Sequence, residues 1–458
     1  MRTHRLLLLS VLLASTAPLA ATPLTEAQRR AIDSMVTATL QTTGVPGASI
    51  AVVRDGRLDY AKAYGNQRGD STPPTASARH PIASVSKQFT AAALLLLAED
   101  GKLALSDKVS KYLPELTGAD TISIAQLLSH TAGYRDYWPQ DYGFAAMYVP
   151  VTPQAILEHW AKTPLDYTPG SKYQYSNTGF VVAGCIAEMV AGETLAKFEQ
   201  RRIFAPLGMD VVQAETGLKP GDAKGFQRFA LGPVRPVRAT APGWGFAAGD
   251  LAMTPSEIAK WNIARLDRTL LKPQSWALQE TSITPPDSGV AYGLGVRMKG
   301  NGGNRSIEHN GGWEGFRSTN RVYPDDKAAV TVFINADFSD AVDAIGDGIA
   351  NIIFDRPDDT ATARTLFSMV QSGAIDRSRF TENGNFYFTP TVLADYAGSL
   401  KQLGAPKTVN RISSPALRGG LTVESFIFGF ADRKLLAVLR AEPDTGRIEQ
   451  FTLTPTSN

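Results

Sequence analysis

One cysteine in 458 residues, Cys185, rules out an intramolecular disulfide. It lies in the apolar stretch 180–190, where a free thiol packs as a small hydrophobe, so buried packing rather than catalysis is expected of it. Histidine is nearly as scarce. His4, His80, His130, His159 and His309 are the full set, and none stands four residues from another, so the helical zinc pair of a metallohydrolase is missing. With no metal-ligand spacing and no cofactor expected, any chemistry falls to side chains alone. Charge of one sign is lacking too: 46 Lys and Arg face 44 Asp and Glu. Such a balance gives no footprint for nucleic acid or an anionic membrane. Gly-x-Ser-x-Gly is absent, which argues against the nucleophile elbow of α/β-hydrolases. No apolar run is long enough to cross a bilayer.

What is present begins with a leader pattern. Arg2 and Arg5 precede the apolar run Leu6 to Leu13, and small residues follow at Ala20 and Ala21, the layout of a secretory signal peptide. Residues 1–21 are expected to be removed on export, giving a periplasmic or secreted protein with no transmembrane anchor. No cysteine sits at the cut to carry a lipid. Loss of Arg2 and Arg5 leaves 44 basic residues against 44 acidic ones. No pattern specifies an oligomeric state.

The periodicity predicts an amphipathic helix over 25–43, with a capping box between Thr25 and Gln28. Two β-rich runs, 48–53 and 58–64, flank Asp55-Gly56, a hairpin signal. Residues 84–100 read as a helix with one apolar face, stopped at Gly101. Helical segments broken by Pro, Gly and aromatic loops then run to about 265. β-character returns at 292–298, 306–309, 317–323 and 328–335, followed by a helix at 341–353. An early hairpin and late strands around a long helical block imply one antiparallel sheet flanked by helices, with an inserted helical lobe and a cleft between. The predicted class is α/β in the α+β sense. After the Pro-containing segment 356–360, residues 360–458 read as a small separate α+β unit.

Ser-x-x-Lys occurs once, at Ser84 and Lys87. Residues three apart on a helix share a face, so Lys87 can reach Ser84 Oγ. Desolvated, its amine can be neutral and take the serine proton, activating an otherwise weak nucleophile. The bland alternative is a helix cap. Tyr175-Ser176-Asn177 offers a phenol for proton relay, its phenolate favoured by a nearby ammonium, and an amide able to hold Lys87. An aromatic packing cluster is the alternative for Tyr175. Tyr64-Gly65-Asn66 repeats the pattern and reads as a strand exit. His309-Asn310-Gly311-Gly312 ends a predicted strand, and its glycines let a ligand approach the backbone closely.

Taken in order, these segments, with 82–90, Glu99-Asp100-Gly101-Lys102-Leu103 and Leu127-Leu128-Ser129-His130-Thr131-Ala132-Gly133, resemble the serine β-lactamase and penicillin-binding-protein superfamily. The branch is that of class C β-lactamases, DD-peptidases and β-lactamase-like esterases, over roughly residues 26–355. The resemblance implies acylation of Ser84, proton transfers shared by Lys87 and Tyr175, orientation by Asn177, and an oxyanion hole from the backbone N–H groups of Ser84 and Gly312. Which of Lys87 and Tyr175 is the acylation base stays open. Where β-lactamases usually carry lysine, this chain has His309, able to donate a hydrogen bond but without a permanent charge. The expectation is an esterase-like hydrolase of small esters, amides or peptides without an obligatory carboxylate; β-lactamase, DD-carboxypeptidase and a non-turnover penicillin-binding module are the alternatives. Gly311, Trp313 and Arg317 are expected at the substrate, with a sheet-edge role as the alternative for Arg317. The C-terminal unit resembles cone-shaped α+β domains of nuclear-transport-factor-like proteins, with a lipocalin-like barrel as the competing expectation.

Overall fold

The computed structural model describes residues 23–140, 142–300, 305–354, 360–412 and 415–456. The expected leader and most of the expected linker lie outside them. Chain geometry separates two compact units that meet in sequence at Asp347 and Gly348.

In the first unit, α1 (Glu26–Thr43) starts where the capping box placed it: Thr25 accepts from Gln28 N–H, and the Gln28 side chain accepts from Thr25 N–H. Ile32, Val36 and Leu40 are buried, and Gly44 ends the helix in the left-handed region. The hairpin of β1 (Gly47–Arg54) and β2 (Arg57–Gly65) turns on Asp55 and Gly56, both at positive φ, as a tight turn matching strand twist requires. Then come α2 (Lys87–Glu99), α3 (Asn177–Ala191) and α4 (Pro255–Leu266). Strands β3 (Ala291–Tyr292), β4 (Arg297–Lys299), β5 (Ser306–Trp313), β6 (Phe316–Tyr323) and β7 (Ala328–Ile334) precede α5 (Ala341–Ile353).

The strands form one antiparallel sheet, in order β2-β1-β7-β6-β5-β4-β3, with Ala48 opposite Ile334. The early hairpin is thus completed by the last strands. Alternate residues serve opposite faces. Tyr60, Lys62 and Tyr64 meet Asp33 of α1 on one face. On the other, Ala51, Val53, Ala329, Val322 and Ile307 pack with Ala259 of α4. His309 and Gly311 share that second face by register, so β5 presents them toward the helical lobe.

Two expectations change. The run 292–298 is not one strand: it breaks at Gly293–Val296, where a Cβ on Gly295 would lie 2.7 Å from Lys87 O. The chain bends to press its backbone against the start of α2. Second, α2 has no polar face, because every residue from Lys87 to Leu97 is buried. It is the central helix of the lobe, and an apolar stripe becomes a full wrap when other helices cover the remaining sides.

In the second unit, α6 (Ala361–Ser372), α7 (Glu382–Tyr387) and α8 (Pro390–Leu400) precede strands β8 (Thr408–Arg411), β9 (Ala416–Arg418), β10 (Leu421–Gly429), β11 (Lys434–Ala441) and β12 (Ile448–Pro455). The sheet order is β8-β10-β11-β12, with β9 also on β10. Phe367 stacks on Phe428 at 4.9 Å within a core that includes Leu366, Leu393 and Phe451. Among the described residues these strands close no barrel.

Candidate active site

Ser84 is set by a bend the sequence does not advertise. Ala83 has φ 48, a left-handed conformation that a residue with a Cβ adopts at a cost of about 1–3 kcal/mol. It follows Ile82, whose N–H donates to Leu251 O at 2.9 Å and whose carbonyl accepts from Ser318 Oγ at 2.7 Å. The bend swings the chain into a 3₁₀ turn, Ala83–Ser86, that leads straight into α2. Ser84 therefore stands in the turn ahead of the helix, not in the helix itself.

Lys87, the first residue of α2, is fully buried. Its Nζ lies 3.0 Å from Ser84 Oγ, 2.7 Å from Asn177 Oδ1 and 2.7 Å from Ala248 O. It also sits 4.9 Å from the centre of the Tyr175 ring. Burial pulls the ammonium down to about 7, against the opposing pull of the Asp136 carboxylate. Two of its three partners can only accept. When the amine is neutral, its two hydrogens stay on Asn177 Oδ1 and Ala248 O, and the lone pair is left facing Ser84 Oγ.

Asn177 opens α3 behind the cap Ser176, whose side chain accepts from Gly179 N–H. Its amide is locked: Nδ2 donates to Asp136 Oδ1 and Oδ2 at 3.1 and 3.2 Å, so Oδ1 is the atom turned to Lys87. The Asn177 N–H also donates to Asp136 Oδ1, at 3.0 Å. Asp136 thus satisfies a free N–H at a helix start, where negative charge is favoured. Sequence reasoning missed Asp136, which follows the segment 127–133 by three residues. Burial raises its carboxyl while these N–H groups and Lys87 oppose the rise.

Tyr175 lines the same cavity as Ser84, and burial pushes its phenol well above the ordinary tyrosine range. This corrects the expectation of a favoured phenolate. Desolvation outweighs the neighbouring charges, so the group beside Ser84 is a neutral phenol and a proton donor. Its ring also packs on that of His130, 4.1 Å away centre to centre, a partner the sequence reading did not name.

His309 comes beside the site but not into it. Its ring is 6.3 Å from that of Tyr175, and both nitrogens are engaged: Nε2 with Tyr292 Oη at 2.7 Å, Nδ1 with Asn310 O at 2.6 Å. Burial first, then the charge of Lys87, pulls its imidazole down to about 3. The expected hydrogen bond from His309 to a substrate therefore has no free N–H to make it.

A cavity of about 640 Å³ opens at Ser84, lined by Tyr175, Asn177, Gly312, Trp313 and Arg317. Trp313 meets Trp138 edge-on at 5.4 Å. A Cβ on Gly311 would fall 2.2 Å from Ile82 O, so glycine there lets β5 approach the Ser84 turn. Arg317 is drawn to Asp337, donating to its carbonyl at 3.1 Å. A second cavity, about 380 Å³, also reaches Ser84 and is lined by His309, Gly311, Gly312 and Arg297. Arg297 was missed because it lay in the run read as continuous strand; its charge is felt by His309 and Tyr175 alike. Among the described residues no group of His, Cys, Asp or Glu is arranged to hold a metal ion.

A family model described as Beta-lactamase matches residues 32–351. The chain is 29% identical over 307 residues to the D-aminopeptidase of Brucella anthropi, a match covering 63% of this chain and 56% of that one. The chain thus spans little more than half the length of that relative. The solved D-amino acid amidase from Ochrobactrum anthropi SV3 is similar at TM-score 0.64 and 25% identity, covering 72% of this chain and 98% of that one. The octameric penicillin-binding protein homologue from Pyrococcus abyssi shares the fold, at TM-score 0.66 and 19% identity over 94% of this chain and 100% of that one. With the family match running from α1 into α5, the chain belongs to the beta-lactamase family.

Proposed function

We propose that the protein is an exported serine hydrolase that cleaves small esters and amides through an acyl-enzyme on Ser84. The carrying observation is the Lys87 amine, held by two carbonyl oxygens with its third position on Ser84 Oγ. As Oγ bonds to the substrate carbonyl carbon, its proton passes to Nζ. The Tyr175 phenol gives its proton to the departing oxygen or nitrogen, and the Lys87 ammonium restores the phenol. Water then attacks the acyl carbon and loses its proton to Lys87, which passes it to Ser84 Oγ as the bond between Oγ and the acyl carbon breaks. The N–H groups of Ser84 and Gly312 receive the carbonyl oxygen, each donor contributing about 2.7–4 kcal/mol in enzymes of this kind. On this reading Lys87 is the acylation base, Asn177 orients it, and His309 acts only through its neighbours. The Arg2, Arg5 and Leu6–Leu13 layout supports export. The D-aminopeptidase and amidase relatives support amide bonds of small substrates.

A fluorophosphonate probe should label the wild type and leave Ser84→Ala unlabelled; equal labelling of both removes Ser84 as nucleophile. A panel of p-nitrophenyl acetate, a D-amino acid amide, a D-Ala-D-Ala peptide and nitrocefin then sorts the substrate class. Ester and amide turnover above nitrocefin turnover is expected, and the reverse order returns the protein to the β-lactamase alternative.

Arg297 favours a second reading, a peptidase that holds a substrate carboxylate, because it sets a permanent cation beside His309 in the cavity that reaches Ser84. A hydrogen bond to a charged group contributes about 1.5–3 kcal/mol. On that reading Arg297→Ala raises KM for a D-Ala-D-Ala peptide by about 10–100-fold and leaves p-nitrophenyl acetate within about twofold. Equal effects on both substrates rule it out.

A further inference from the structure

His130, Tyr292 and His309 are all more than nine-tenths buried, lie behind the Ser84 cleft, and take no part in the steps above. We propose that they form a one-directional hydrogen-bond chain that holds the Tyr175 phenol in place beside Lys87 and Ser84, with Tyr292 as the link on which the chain depends. The proposal rests on the acyl-enzyme reading, since it assigns positioning residues for Tyr175 in that reaction.

The chain has one proton arrangement, and its direction follows from its two ends. Ser176 N–H, a backbone donor, lies 3.1 Å from His130 Nδ1, so Nδ1 must accept. Neutral His130 then carries its hydrogen on Nε2, which donates to Tyr292 Oη at 3.1 Å. Tyr292 O–H is left to donate onward to His309 Nε2 at 2.7 Å. His309 must therefore carry its hydrogen on Nδ1, where the Asn310 carbonyl accepts it at 2.6 Å. Each imidazole nitrogen has one role and one partner, and Tyr292 Oη accepts from one ring and donates to the other. A proton added to either imidazole would set two donors face to face.

Its anchors give the chain its use. One end is the N–H of Ser176, the residue between Tyr175 and Asn177. The other is β5, one residue before Gly311 and Gly312. The chain therefore sets the spacing between the segment that carries the phenol and the strand that lines the cleft. His130 also lies against the Tyr175 ring at 4.1 Å with planes inclined by 34°, and Phe180 lies 5.1 Å behind His130. Displacing a reacting group by about 1 Å can cost about 10²-fold in rate. Tyr292→Phe keeps the ring and removes the one oxygen that both accepts and donates.

Two measurements on the full chain test this. Nitrogen-15 NMR of the wild-type histidines, assigned by single substitutions, should show both imidazoles neutral at pH 7, His130 as the Nε2–H and His309 as the Nδ1–H tautomer. The opposite tautomer at either position, or an imidazolium, overturns the chain without reference to any variant. Tyr292→Phe should lower kcat for p-nitrophenyl acetate by about 10–100-fold with KM within about twofold, and His309 should lose its single tautomer. A Tyr292→Phe enzyme with wild-type kcat but a lowered Tm makes Tyr292 a packing residue and overturns the proposal. Fluorophosphonate labelling separates the two failures: an unlabelled wild type sinks the acyl-enzyme reading, whereas a labelled wild type with an undiminished Tyr292→Phe sinks only the chain.

Discussion

Lys87→Met should lower kcat/KM on any substrate of the protein by at least about 10³-fold, because general-base catalysis alone supplies about 10²–10⁴ and the base and nucleophile act as a unit. Methionine fills the space and carries no amine. It also removes a buried cation, which offsets the donors lost to Asn177 Oδ1 and Ala248 O, so the variant should fold. Arginine should not rescue activity. Its guanidinium stays charged at every working pH and offers no lone pair to Ser84. The same residue sets the pH profile. Lys87 is held down to about 7 and works in the neutral form, so kcat/KM should rise with pH through an acid limb near 7 and level off above it. Asp136→Asn should move the limb to lower pH by removing the carboxylate charge that favours the ammonium. A flat profile between pH 5 and pH 9, or a Lys87→Met enzyme retaining a tenth of its activity, would falsify the assignment of Lys87 as base.

The parts of this site legible in the sequence are those whose spacing is local. Ser84 and Lys87 lie one turn apart, and Tyr175 and Asn177 flank a helix cap, so residue type and offset made them candidates and the order of the motifs along the chain singled them out. The sheet was legible for a similar reason: β-rich runs early and late in the chain, with Asp55-Gly56 at the first turn, implied one antiparallel sheet, and the register of β1 with β7 bears it out. What was hidden depends on contacts between distant segments. Asp136 orients Asn177 across a loop. The carbonyl of Ala248 helps hold Lys87 from elsewhere in the chain. Ala83 is strained by tertiary packing, and no alanine announces that in sequence. His309 was placed correctly at the cleft wall but given a free donor. Its freedom depended on Tyr292, which sits in a run that reads as strand until Gly293 and Gly295 press against Gln279 and Lys87.

Glu199→Gln should stabilise the protein at alkaline pH and leave its stability nearly unchanged in mild acid. Glu199 is 3% exposed, and no described residue supplies it with a hydrogen-bond donor or a cation. Burial first, then the neighbouring Asp250, pushes its carboxyl up to about 8. Asp250 is itself pushed up to about 8, by burial and then by Glu215. A folded-state value above the unfolded one means the native protein keeps a proton that the unfolded chain has released. Stability must therefore fall as pH rises from about 4.5 to about 8, and stay at its reduced level above that. The loss is on the order of a few kcal/mol for Glu199, given 1.36 kcal/mol for each pH unit of displacement. Glutamine keeps the shape and cannot ionise, so the Tm of Glu199→Gln should match wild type near pH 5 and exceed it by several degrees at pH 9. A Tm difference that stays constant from pH 5 to pH 9 would show that Glu199 does not ionise in the fold. The consequence reaches the active site. Asp250 stands two residues past Ala248, and the segment 243–250 is pinned by Glu215, which accepts from Gly243 and Gly245 N–H. Ionisation of Glu199 and Asp250 sets two like charges against that segment while Ala248 O is holding Lys87. Activity should then decline on the alkaline side of its plateau, and Glu199→Gln should extend the plateau to higher pH while leaving the acid limb of Lys87 where it is.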